Sequence, residues 1–499
     1  MLPPYVFAYA ETLKAEPAVL ALAALARQGG MSLWITGGTL RDILLTRWPA
    51  DLDVAVAGDA MALGRALAAA GHGSFVPLDA TTGTARVALR GTQGIQWIDL
   101  VDLRGQTGGP AGTSPAIEAD LAARDFTVNA IALPLEALVG SAPDTFIDPT
   151  GGRPDLHRRV LRMVSAQGLD DDPLRVLRAY RFAATLGFEL EAGTRKAAAA
   201  RVKGLARVAA ERVRHELDRL LAAPRPAPAL SMLMEDGVLE VLVPELAACR
   251  GVAQNHYHHL DVWEHTLEAV SQLAEMVANP GALMDDIGDS DALPWLHQEE
   301  LRETLRWATL FHDIGKPGCR TEDADGVTHF YGHHIAGAEQ FPVIGARLRL
   351  PGRLTRRVTR LIRHHLRPLH LLRVHAEGKL TRPTVARLHR DLGDDLPGLF
   401  LLARADLAAR RGVAKATDAD TRLVALHREV EALVRDHIAP AVATPLLTGH
   451  DLMHHFGLPE GRRIGRLLGA LRMAQAAGEV NDRGQAEAWL RQKLAESGG

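Results

Sequence analysis

The stretch SLWITGGTLRD, residues 32–42, followed by ADLDVAVAG, residues 50–58, decides how this chain is read. Leu33 to Ile35 form a short apolar run with strand propensity. Gly37 and Gly38 permit a tight turn with close backbone approach, and the apolar spacing after Arg41 predicts a helix. Backbone N–H groups at such a turn and helix start suit a triphosphate, and Arg41 adds a fixed positive charge. Asp51 and Asp53 stand one residue apart in the next run, and side chains at i and i+2 of a strand project from the same face. Both carboxylates can therefore reach one cluster of hard divalent cations. Two such ions about 4 Å apart activate an attacking hydroxyl and stabilise a leaving pyrophosphate. An Asp-x-Asp pair alone also describes an edge strand with a solvated face. The glycine turn and the arginine upstream are what point to metal-assisted nucleotidyl transfer.

At 499 residues the chain exceeds one ordinary core, and roughly two to four domains are expected. Apolar residues make up 47% and charged residues 23%, the balance of a well-folded soluble protein. Aromatics are only 5%, and the stretches after residue 155 lack strand-like alternation, so helix should greatly exceed strand and the sheet should lie in the first third. Cys249 and Cys319 form no disulfide framework, and the start MLPPYVFAYAETLKAEP lacks a charged segment followed by an apolar core; a reducing cytoplasm is expected. No uninterrupted apolar run has membrane-spanning length.

The net charge of −3 is unevenly distributed. Residues 151–230 carry 16 Lys and Arg against 9 Asp and Glu, and residues 346–390 carry 13 against 1. Such segments could track phosphates in a salt-sensitive way, or could be solvated helix faces. The acidic run around 284–303 reads as an inserted surface loop.

Residues 1 to about 30 read as an amphipathic helical lead-in, and 31 to about 152 as mixed strand and helix. TGTARVALRG (82–91) and GIQWIDLVDLRG (94–105) alternate apolar and polar residues, as in a hairpin, and GQTGGPAGTSP (105–115) is a loop. Residues 153–223 read as helical, LAAPRPAPAL (221–230) as a Pro-rich hinge, and about 255–412 as a second helical region.

The ordered series GGTLRD (37–42), DLDVAVAG (51–58), ARDFTVNAIAL (123–133), DPTGGRPDL (148–156) and DDPLRVLRAYRFAATLGF (171–188) resembles the bacterial tRNA nucleotidyltransferase and poly(A) polymerase family of class II. The resemblance implies an α/β nucleotidyltransferase head with a mixed five-stranded sheet, followed by mostly α-helical neck, body and tail. The expected division is head 1–152, neck 153–223, body 224–254, a further domain 255–412 and a tail 413–499.

Carried onto this sequence, the resemblance makes Asp51 and Asp53 the catalytic metal ligands and Gly38, Arg41 and Arg124 the triphosphate site. The family often has two arginines before the aspartate of its third motif; here the first position is Ala123, followed by Arg124 and Asp125. The third carboxylate is assigned to Asp99 rather than Asp102, because Trp97, Ile98 and Leu100 suggest a central strand. Asp172 and Arg175, three apart and so expected on one helix face, offer the acceptors and donors that pair with a base edge. By resemblance they act as the amino-acid template that accepts C and A and excludes U and G. Arg178 is expected to reach the nucleotide. Arg181, half a circle from Asp172 on a straight helix, either braces the head or, as the resemblance suggests, also contacts the nucleotide.

A second constellation follows. His265 in DVWEHTLEAV, His312 and Asp313 in WATLFHDIGK, His334 in YGHHIAGAE, His364 or His365 in LIRHHLRP and Asp406 in ARADLAAR resemble the HD phosphohydrolase superfamily. Imidazole and carboxylate together suit a divalent transition metal, with His334 and His364 or His365 as ligands of a second ion.

These resemblances imply an enzyme that adds C, C and A to the tRNA 3′ end from CTP and ATP with Mg2+, and phosphatase or 2′,3′-cyclic phosphodiesterase activity at the second site. Alternatives are A-only or CC-only addition, poly(A) synthesis, a metal phosphohydrolase with an RNA-binding head, and a non-catalytic tRNA-binding factor. The absence of a long basic C-terminal extension argues against poly(A) synthesis.

Overall fold

The computed structural model describes residues 11–49, 51–90, 95–103, 114–139, 146–254, 260–281, 290–410 and 416–496. The chain separates into two compact units, Met1–Val208 with Asp236–Val238, and Ala209–Glu235 with Leu239–Gly499.

The first unit is built on a mixed sheet. Its strands are β1 (Ser32–Thr36), β2 (Asp51–Ala57), β3 (Ser74–Asp79), β4 (Thr84–Ala88), β5 (Trp97–Asp102) and β6 (Ala132–Pro134), in the order β3-β4-β5-β2-β1-β6. The sheet therefore has six strands where five were expected; the extra one is the short edge strand β6, which pairs antiparallel with β1. Only β2 and β5 run parallel, and the hairpin expected from 82–105 is the antiparallel pair β4 and β5. The loop expected at 105–115 lies almost wholly outside the described residues.

One face of β2 carries Asp51, Asp53, Ala55 and Ala57 in succession. Ala55 and Ala57 pack with Trp34 and Ala132 against Ile117 and Leu121 of the helix Ser114–Ala122, all buried. The helix packs on the apolar end of that face. Leu52 and Val54, on the opposite face, are buried. The helix predicted after Arg41 already begins at Gly37 and runs Gly37–Leu44, so the two glycines form its first turn.

Pro173 reshapes the next part of this unit. It starts the helix Leu174–Leu186 and leaves Asp172 extended at φ −134° and ψ 94°, because the residue before a proline is sterically pushed out of the helical region. Asp172 therefore precedes the helix that carries Arg175, and the two do not share a helix face as expected. The helix ends at Gly187 with φ 71°.

The second unit is helical. Its most enclosed element is Leu396–Ala409, where Leu399 to Ala403 are completely buried. Val262–Ala278, Glu299–Phe311 and Gly352–His364 pack against it, and His333–Arg347 lies along Gly352–His364. A separate cluster of Leu447, Leu452, Ile464, Leu471 and Leu490 holds the last helices together. The acidic run read as a surface loop is helical over Leu293–His297 and from Glu299 onward, and residues 284–289 lie outside the described residues. Glu299 and Glu300 occupy a helix's first turn, where the macrodipole favours negative charge, and Glu299 pairs with Arg302 and Arg306 at 2.5 Å each.

Candidate active sites

The parallel register of β2 on β5 sets Asp53 directly beside Asp99, and Asp51 beside Trp97. Paired residues share a face, so Asp51, Asp53 and Asp99 form one group of three carboxylates. Arg86, opposite Asp99 on β4, holds both Asp99 oxygens at 2.7 Å. Asp102 is occupied elsewhere, accepting from Ala60 N at 2.7 Å.

Gly37, at φ 66°, lies so close that a Cβ there would stand 3.1 Å from both Asp53 Oδ2 and Arg124 Nη1. Only glycine suits both the backbone and the space. Thr39 ties this helix start to β2. Its hydroxyl donates to Asp51 O at 2.9 Å and accepts from Asp53 N at 2.8 Å, and its own N–H donates to Asp53 Oδ2 at 3.3 Å. Burial pushes the Asp53 carboxyl up, and the charges of Asp99 and Asp51 add to this against the Thr39 hydrogen bond and Arg124. A dicationic occupant would reverse that effect.

Arg41 donates to both Asp42 oxygens and to Asn129 Oδ1 at 2.9 Å. Asn129 Nδ2 donates in turn to Asp125 Oδ1 at 3.0 Å, and Arg178 closes on Asp125 Oδ2 at 2.5 and 3.0 Å. Arg124 binds Asp120 Oδ2 at 3.0 Å and Thr36 Oγ1 at 3.0 Å. Arg175 donates to the carbonyl oxygens of Ala123 at 2.9 Å and Arg124 at 3.2 Å. Arg181 is 2% exposed with its guanidinium 3.4 Å from the Phe182 ring centroid, which places it inside the core of the unit. The buried Asp125 carboxyl would be raised by desolvation, but Arg178, Asn129 and the Phe126 N–H outweigh burial and bring it down to about 2.

In the second unit the histidines and aspartates converge. His265 Nε2 lies 3.1 Å from Asp406 Oδ1 and 3.7 Å from Asp313 Oδ2, and His312 Nε2 lies 3.2 Å from Asp313 Oδ2. The other Asp313 oxygen stands 3.3 Å from His333 Nε2 and 3.7 Å from His365 Nε2, while those two nitrogens are 3.3 Å apart. Asp313 thus faces two triads, one with His265, His312 and Asp406 and one with His333 and His365, every member buried. Ligands about 2.1 Å from a shared ion stand about 3.0–3.4 Å from one another in octahedral or tetrahedral geometry, so the triads are close to the spacing an ion requires.

The hydrogen bonds also suit an ion. Nδ1 of His312, His333 and His365 each bonds to the carbonyl three residues earlier, at 2.8, 2.7 and 2.8 Å. A carbonyl only accepts, so each Nδ1 carries the proton and each Nε2 presents a lone pair. His312 Nε2 is buried with no hydrogen bond of acceptable geometry. Burial pushes His365 down to about 3 and lowers His265 as well, which keeps both imidazoles neutral. His312 is raised because Asp313 and Asp406 outweigh its burial. Lys316 Nζ lies 2.6 Å from Asp313 Oδ2, and Arg410 grips Asp406 at 2.6 and 3.0 Å. A Cβ on Gly315 would stand 2.2 Å from His333 O, so glycine is required there for the His312–Lys316 turn to lie against the helix His333–Arg347.

Three family descriptions match this chain in order: the poly A polymerase head domain over residues 33–162, the probable RNA and SrmB-binding site of polymerase A over 187–250, and the HD domain over 262–407. The A-adding tRNA nucleotidyltransferase of Deinococcus radiodurans is 39% identical over 472 residues, covering 93% of this chain and 96% of that protein. This chain belongs to the tRNA nucleotidyltransferase family. The CC-adding tRNA nucleotidyltransferase of Thermus thermophilus is 37% identical over 460 residues, 91% of this chain and 92% of its own. A solved CCA-adding enzyme in complex with CTP has the same fold, with a TM-score of 0.62 at 21% identity and coverage of 97% and 98%.

As a tRNA nucleotidyltransferase with an HD domain, the chain departs from its sequence reading at two histidines. His334 and His364 are not in the triads; their neighbours His333 and His365 are. The helix His333–Arg347 begins at His333, whose ring folds back on Phe330 O, while His334 is only half-buried beside His370 and Arg363. His365 caps the helix Gly352–His364 and turns inward, leaving His364 half-buried. Arg86, Thr39, Lys316 and Arg410 were not singled out by sequence. Arg86 alternates with apolar residues on β4 like any solvated position, and only the register shows what it faces.

Six of the 13 cations of the basic segment 346–390 share four carboxylates within the fold. Arg347 pairs with Glu245, Arg353 with Glu300, Arg357 and Arg360 with Asp395, and Arg367 and Arg390 with Asp391. Cys249 is buried, which pushes its thiol up to about 12, and both cysteines are free. Among the described residues, no helix is long and apolar enough to cross a membrane.

Proposed function

We propose that this protein restores CCA at the tRNA 3′ end from CTP and ATP in the cytoplasm, using Asp51, Asp53 and Asp99 to hold Mg2+. The observation that carries this reading is the register that sets Asp99 beside Asp53, with Asp51 on the same face and the Gly37–Gly38 turn against them. Bound Mg2+ supplies the charge that activates the tRNA 3′-hydroxyl and neutralises the departing pyrophosphate. The residues of the chain do the placing. N–H groups of the Gly37–Leu44 helix start, with Arg41 and Arg124, receive the triphosphate. Asp172 and Arg175 select the base, and Arg178, anchored on Asp125, fixes the helix that carries Arg175 against the phosphate site. Arg181 braces that helix from the core. Head 1–152, neck 153–223, body 224–254, HD domain 255–412 and tail 413–499 remain the working division.

The second centre is read as a phosphohydrolase for nucleotides or 2′,3′-cyclic RNA ends, with His265, His312, Asp313 and Asp406 holding one divalent transition metal ion and Asp313, His333 and His365 another. Such an ion supplies the Lewis acidity that makes water a nucleophile near neutral pH. Lys316 and Arg410 keep Asp313 and Asp406 ionised, and the three Nδ1–carbonyl bonds aim the imidazoles. The water oxygen joins phosphorus as the ester oxygen departs with a proton.

A narrower reading, addition of A alone or CC alone, is favoured by the names of both relatives described above, each of which spans over nine-tenths of this chain. Sequencing the products formed on tRNAs lacking CCA, CA or A separates these outcomes. Extension of all three to the full terminus supports CCA addition; extension only of the tRNA lacking A establishes A addition, and extension of the other two only as far as CC establishes CC addition. Asp51→Ala should abolish incorporation of labelled CTP and ATP, and retained incorporation would sink the polymerase assignment.

A further inference from the structure

Among the described residues, Tyr331 is the most exposed large apolar side chain, at 78%. It follows the small hairpin of Thr321–Glu322 and Thr328–His329. Its ring lies nearly parallel on His329, with centroids 5.1 Å apart and planes 11° from one another. His329 is itself fixed, its Nε2 2.8 Å from Asp323 Oδ2. The other Asp323 oxygen accepts from the N–H groups of Asp325 and Val327, at 3.1 and 2.9 Å. Hairpin turn, carboxylate, imidazole and phenol thus form one braced stack whose outer face is open to solvent.

The stack stands at the rim of the second metal centre. Tyr331 is two residues from His333, a span of at most about 7 Å along the backbone. The intervening Phe330 gives its carbonyl to His333 Nδ1 at 2.7 Å, and its ring lies 5.6 Å from the Lys316 ammonium. The five residues 329–333 therefore carry an outward aromatic platform and an inward metal ligand on one short segment.

We infer that the Tyr331–His329 stack is a nucleobase platform, so that the second centre takes phosphate esters carrying a base, the phosphate at the metal ligands and the base on Tyr331. This rests on reading that centre as a phosphohydrolase. Every base has a π-face, so a tyrosine gives affinity without sequence preference, which suits a site that meets varied RNA ends or nucleotides.

The test compares wild type, Tyr331→Ala and Tyr331→Phe, each loaded with metal. Quenching of 2-aminopurine riboside monophosphate fluorescence reports stacking directly, and kcat/KM for 2′,3′-cyclic AMP against β-glycerophosphate reports the preference for a base. Stacking a base is worth about 1–3 kcal/mol, so Tyr331→Ala should weaken probe binding and lower the substrate ratio about tenfold, with Tyr331→Phe restoring both. Unchanged quenching and an unchanged ratio in Tyr331→Ala would overturn the inference, as would equal loss on both substrates. If wild type hydrolyses neither substrate, the phosphohydrolase reading fails and the quenching comparison alone decides the platform.

Discussion

Arg178→Met should destabilise the first unit in a way that fades with acid. Asp125 is buried, and its carboxyl stands at about 2 against an ordinary value of 3.8. That difference corresponds to about 2 kcal/mol of stability at neutral pH. Because the folded value lies below the unfolded one, the stabilisation is complete above pH 4 and is lost as pH falls through 2. Burial alone would raise Asp125, and Arg178 is the largest influence opposing it. Without Arg178 the carboxylate keeps its desolvation and loses its cation. Urea denaturation followed by near-UV circular dichroism should therefore show Arg178→Met about 2 kcal/mol less stable at pH 7, the gap shrinking to roughly half by pH 3. Equal midpoints at pH 7, or a gap that does not change with pH, would refute the reasoning. Incorporation of CTP should fall with it, since Asp125 also holds Asn129, which holds Arg41.

Gly37→Ala combines a left-handed backbone, costing about 1–2 kcal/mol, with a methyl group pressed on Asp53 and Arg124; kcat/KM for CTP should drop at least tenfold while metal content of the second centre is unchanged. Metal analysis of purified protein should show His333→Ala losing one bound ion and His334→Ala losing none; equal loss from both would return His334 to the ligand set. Arg175→Ala should raise misincorporation of UTP and GTP relative to CTP and ATP, and wild-type discrimination in that variant would remove Arg175 from base selection.

Chemistry that lies in local order was legible in the sequence. The Asp51–Asp53 pair, its glycine turn and the order of five motifs are set by neighbours within a few residues, so alternation and turn chemistry expose them. The choice between adjacent histidines was not legible. Whether His333 or His334 points inward depends on where a helix starts and which carbonyl captures Nδ1, and one residue of helix rotation is 100°. Asp172 was misplaced for a different reason. The three-residue spacing to Arg175 suggested a shared helix face, and Pro173 between them overrides that spacing by barring its predecessor from the helix.

The sequence by itself determined that this chain carries two constellations of metal-ligating residue types, a paired-carboxylate head and a histidine-rich helical domain, because each is written in residue types at short, regular intervals. Tertiary structure alone decided which residues meet. It set Asp99 beside Asp53, 46 positions away in the chain, and it turned Asp313 toward two triads drawn from five helices and their ends. Strand register and helix rotation are products of packing over the whole unit, and no local spacing encodes them.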